Sequence, residues 1–199
     1  MTSLPTRPPG PRPPVDPCTS ARRRAGVAAA ALSLSVLLVA CTGDDPEPGP
    51  SPVVVGAQEY EPVLEVRLPV PGSAEDEVTV GLVSLVAEGP TVELRVLLTP
   101  HFVEDDPDRP EEHSVYDMLG SHHDPWLLDV DTLTRYDVVS APGEDLSTDI
   151  VYAQTTNDRA LLYQAWFPRP EGDPAAVDVR LHDAWPAFED VPVTWEEGE

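Results

Sequence analysis

The chain has no lysine. All twelve of its cations are arginine, set against 36 acids, and the formal net charge is −24. A nucleic-acid binder needs a basic face to neutralise phosphates, and almost nothing here could build one. Two cysteines in 199 residues exclude a disulfide-stapled scaffold and a multi-Cys zinc domain. Aromatics make up only 6% of the chain, and all of them lie between Tyr60 and Trp195. The core is therefore expected in that span. The one long uncharged stretch, Ala25–Ala40, is shorter than the ~20 residues a membrane span needs.

Residues 1–21 form a Pro-rich leader, with seven prolines and no aromatic between positions 2 and 20. Such a segment buries too little apolar surface to offset chain entropy, and disorder is expected. Arg22-Arg23-Arg24 then precedes the uncharged stretch, and together they have the order of a signal peptide n-region and h-region over 22–40. The stretch ends in Leu38-Val39-Ala40-Cys41. These residues resemble the lipobox of bacterial lipoproteins. The resemblance implies cleavage by signal peptidase between Ala40 and Cys41 and lipidation of the Cys41 thiol. Cys18, in the leader, would be lost on processing. Whether export is by the general route or the twin-arginine route is left open by Ala25-Gly26-Val27, which fits the twin-arginine pattern poorly.

Downstream of the cleavage point, seven arginines face 35 acids, a net charge of −28. Direct adsorption to an anionic surface is unfavourable at that charge, so the anchoring must come from lipid. Residues 41–56 read as the lipidated Cys followed by an acidic, Pro-rich linker that holds the domain away from the bilayer. Basicity carried by Arg alone, with abundant Ala, Pro and Val, fits a GC-rich bacterial genome.

Residues 57–199 are expected to form one β-sandwich domain. The dominant period is two: Val92, Leu94, Val96 and Leu98 alternate with Glu93 and Arg95, and Val177, Val179 and Leu181 alternate with Asp178 and Arg180. Turn signals recur at Pro71-Gly72, Gly89-Pro90, Pro142-Gly143 and Gly172-Asp173-Pro174. Strands are predicted near 63–68, 77–87, 91–99, 114–119, 126–130, 135–140, 149–154, 160–167, 176–182 and 190–195, with no helical stripe. This pattern predicts an all-β fold: an antiparallel Ig-like β-sandwich first, a jelly roll second. Asp131 is expected to start a hairpin turn. Trp185 and Trp195 are the tryptophans expected at the surface.

The segments Leu127–Val139, Ala165–Pro170, Val177–Leu181 and Ala187–Thr194 together resemble an extracytoplasmic β-sandwich domain of actinobacterial lipoproteins, which also occurs ahead of OmpA-like modules. Relatives often carry a Cys pair after the Tyr-containing strand, whereas Ser140–Thr148 has none. The resemblance brings no catalytic residues with it.

Candidate chemistry is sparse. The run Glu104–Glu112 holds six carboxylates of the kind that suit Ca²⁺, but it lacks the alternating order and central glycine of an EF-hand loop. A solvated acidic loop is the competing reading. Ser121-His122-His123-Asp124, with His101 and His113 upstream, offers ligand types for zinc or copper. Adjacent histidines in an extended chain point to opposite sides, so exposed polar residues are expected instead. No nucleophile elbow, Gly-rich phosphate loop or His-Glu-x-x-His helix occurs, so no catalytic residue, metal ligand or cofactor is assigned. The expected function is a lipid-anchored module on the extracytoplasmic face of the cell membrane. It would be non-catalytic and serve a binding or accessory role. Its partners would be the membrane, through Cys41, and an envelope protein, with no nucleic acid. The alternatives are a cation- or solute-binding lipoprotein using the acidic loop, and an envelope hydrolase.

Overall fold

The computed structural model describes residues 49–106, 108–120 and 123–195. The leader, the signal peptide, Ala40, Cys41 and the start of the linker lie outside the described residues, as do Ser121 and His122.

The described chain runs β1 (Val53–Val55), β2 (Gln58–Tyr60), β3 (Leu64–Pro69), β4 (Glu77–Glu88), β5 (Thr91–His101) and β6 (His113–Ser114), then the helix α1 (Val115–Leu119). It continues with β7 (Trp126–Asp129), β8 (Thr134–Asp137), β9 (Ser140–Ala141), β10 (Glu144–Asp145), β11 (Gln154–Thr155) and β12 (Leu161–Pro168). It ends with β13 (Ala176–Arg180), β14 (Phe188–Pro192) and β15 (Thr194–Trp195).

Two sheets dominate. The larger has the order β12-β5-β4, and the far edge of β4 is shared end to end by β3 and β15. The smaller has the order β14-β13-β7-β8. Every pairing in them is antiparallel except β15 on β4. The long β4–β5 hairpin follows from its sequence. Val78, Val80, Leu82 and Val92, Leu94, Val96, Leu98 alternate inward, and the register slips at a bulge between Leu82 and Ser84, after which Leu85 and Ala87 carry on the inward row. These side chains meet Tyr163, Ala165 and Phe167 of β12 and Leu127, Val177, Val179, Phe188 and Val191 of the smaller sheet in one cluster. Two sheets facing each other across a shared apolar layer make the sandwich-like, all-β architecture that the period-two pattern predicts.

The outer face of the larger sheet is partly covered as well. Leu97 and Glu93 point outward from β5 and are nonetheless buried. Pro62 lies over Gly81, where an added Cβ would come 3.3 Å from Cγ of Pro62 and 3.5 Å from Cβ of Leu97. Glu93 is held by Arg95 at 2.6 Å and by Nε2 of Gln164 on β12.

Four sequence expectations are corrected. Residues 114–119 are not a strand: Ser114 caps α1, its hydroxyl accepting from the Asp117 amide, while the Asp117 carboxylate accepts from the Ser114 amide. That reciprocal capping box sets a helical turn in which Val115, Met118 and Leu119 are buried, a one-turn stripe too short to show as a period. Residues 149–154 form a turn, because the Asp149 carboxylate accepts from the amides of Val151 and Tyr152 and leaves only Gln154–Thr155 to pair. The expected strand 190–195 is two strands that belong to different sheets. Asp129, not Asp131, anchors the β7–β8 turn: its carboxylate accepts from the amides of Asp131 and Thr132 and from the Thr132 hydroxyl. The Thr132 hydroxyl, with these amides, holds the Asp129 carboxyl below its usual range.

Candidate functional site

After β8 the chain leaves the smaller sheet and crosses to the free edge of β12. Val139 donates to the Trp166 carbonyl, Trp166 donates to the Leu146 carbonyl, and Thr148 donates to the Gln164 carbonyl. Between these contacts Pro142-Gly143 turns the short β9–β10 hairpin. The crossing segment stands off from β8 and from the approach to β7, leaving a groove of about 980 Å³.

The groove wall is acidic. Asp124, Asp137, Glu144, Asp145 and Asp149 line it, with Arg135 as the single cation. Arg135 is already engaged: it donates from Nε to Asp137 at 2.5 Å and from its guanidinium to Asp124 at 2.9 Å, and its guanidinium lies 5.0 Å from the Trp126 ring centroid. Apolar surface comes from Val138, Val139, Leu146 and Ile150.

His123 and Tyr163 also line the groove. Nε2 of His123 and the Tyr163 hydroxyl share a 2.8 Å hydrogen bond, and the rings meet edge to face. Burial pushes the His123 imidazole down to about 4, and the neighbouring His182 ring adds to the effect, while Leu181 and Asp124 oppose it. Burial drives the Tyr163 phenol well above its usual range. Both groups are therefore neutral near pH 7. A neutral imidazole of such low basicity is poorly matched to general-base work at that pH. The expectation of an exposed His123 is thus corrected, because Tyr163, distant in sequence, supplies its cover.

The other candidates lie elsewhere. In the 104–112 run, Asp105 accepts from the Glu111 amide and Asp106 accepts from the Asp108 amide, so these carboxylates satisfy the loop's own backbone. Asp105 also lies 3.7 Å from Nε2 of His113, whose ring stacks on Phe102 at 4.1 Å. His101 is bonded to Thr79 and Asp158. Among the described residues no group of three or more His, Cys, Asp or Glu side chains is placed to hold a metal ion. Trp185 is buried, not at the surface, and its indole N–H donates to the Pro69 carbonyl at 2.8 Å. Trp195 is half-buried under Arg169 and donates to the Pro174 carbonyl.

The sequence reading named Asp124 and His123 but missed Tyr163, Glu144, Asp145 and Asp149 as neighbours. The turn signal Pro142-Gly143 marked the hairpin, yet nothing local could say that it docks on β12. No family model, curated protein or solved structure matches the chain.

Proposed function

We propose that the chain is a lipid-anchored lipoprotein of the extracytoplasmic face of the cell membrane, and that its β-sandwich, in the Ig-like form, is a non-catalytic binding or accessory module. The observation that carries this reading is the order Arg22-Arg23-Arg24, the uncharged Ala25–Ala40, then Leu38-Val39-Ala40-Cys41, followed by an acidic Pro-rich spacer. Tethering places the module at high effective concentration toward neighbouring envelope proteins. The open groove supports a binding role.

The test is lipidation at position 41. Intact mass and envelope fractionation of the wild-type chain should show a diacylated N-terminal Cys41 in the membrane fraction. Cys41→Ser should lose the lipid mass and leave the membrane. An unacylated thiol at position 41 in the native protein overturns the anchor.

A further inference from the structure

We infer that the groove between β8, the crossing segment and β12 is the docking surface for a basic, partly apolar segment of a partner protein, an inference that rests on the binding-module reading above.

Charge is the first argument. Five carboxylates face the groove and its one arginine is already bridged by two of them. Glu144 and Asp145 are exposed, and among the described residues no side chain donates a hydrogen bond to either. An incoming cation would meet carboxylates that no described cation already pairs with, on a chain whose overall charge attracts it from a distance.

Shape and polarity are the second. The groove is too open and too acidic for a compact apolar ligand, but Leu146, Ile150, Val138 and Val139 give it an apolar component. That surface continues beyond the groove. Ile150 accepts from the Tyr116 amide, and Ala153 accepts from Val115, which knits the 149–153 turn to the start of α1. Around this knot Tyr152 is 84% exposed, Val151 52% and Tyr116 44%, with Leu146 at 48%. The backbone of Val151 and Tyr152 is not a loose loop, because the Asp149 carboxylate accepts from both of their amides. Exposed Tyr residues on backbone that runs on from the groove-lining Asp149 and Ile150 suit an extended segment in which Lys or Arg alternates with aliphatic side chains.

The probe is a synthetic peptide alternating Lys and Leu, titrated against the full chain in neutral detergent, with an alternating Glu and Leu peptide, oligolysine and spermine as comparisons. The Lys/Leu peptide should bind, weaken steeply between about 0.05 and 0.5 M salt, and lose about tenfold in affinity with Glu144→Gln/Asp145→Asn. Tyr152→Ser should speed dissociation, while Glu171→Gln, whose side chain does not line the groove, should change nothing; melting temperatures confirm that each variant is folded. Equal loss with Glu171→Gln, or equal binding of spermine or of the Glu/Leu peptide, overturns the surface. A photocrosslinker at 145 or at 171 in the native envelope separates the two readings. Protein adducts from 145 support both. Adducts from 171 alone keep the binding module and reject this groove. None from either rejects both.

Discussion

At position 81 any other residue would place a Cβ only 3.3 Å from Cγ of Pro62, a tight contact. Gly81→Val would force Pro62 off the sheet or strain β4, and a cost of about 1–3 kcal/mol is expected in denaturant midpoints. His123 has a different kind of consequence. Its folded value, about 4, lies below the 6.5 of an unfolded chain, so the unfolded state binds the extra proton between those values. Its effect on stability is therefore absent above about pH 6.5, and the destabilisation grows as pH falls below that value and is complete once pH has passed through about 4. The expected loss is on the order of 2–3 kcal/mol. His123→Gln should flatten the stability profile across that window, as followed by thermal melts at stepped pH. An unchanged profile would show that the imidazole is not desolvated.

At the scale of elements, Ser114 shows how a few atoms override a pattern. Its hydroxyl both accepts from the Asp117 amide and donates to the Asp117 carboxylate. Ser114→Ala should cost about 1 kcal/mol, and amide exchange over residues 115–119 should rise, while Ser114→Thr should retain most of the cap. Much of both sheets could be read from local alternation: β4, β5 and β12 of the larger and β13 of the smaller lie close to the strands predicted at 77–87, 91–99, 160–167 and 176–182. The helix could not, because a single turn offers no repeat to detect, although Ser114-x-x-Asp117 was a visible capping signal. Asp149 hid a turn within residues that alternate like a strand, since a carboxylate reaching its own backbone leaves no trace in hydropathy. The groove is further still from local pattern. It exists because Leu146 and Thr148 join β12, a pairing between segments about twenty residues apart, and because Tyr163 covers His123 across forty.

For the whole molecule, the acidic balance and the two-sheet core divide the chain: the layer between the sheets is apolar, and the surface carries most of the acids. The far edge of β4 carries a further consequence. It is occupied first by β3, running antiparallel, and then by β15, running parallel, while the β1–β2 hairpin precedes Pro62 on the outer face. A mechanical load applied from the N-terminal side would reach the hairpin and Pro62 before β3, and the central β4–β5 ladder only after β3 had been stripped away. The β1–β2 hairpin and Pro62 would act as a fuse, yielding under tension before β3 draws Leu68 out of the apolar layer.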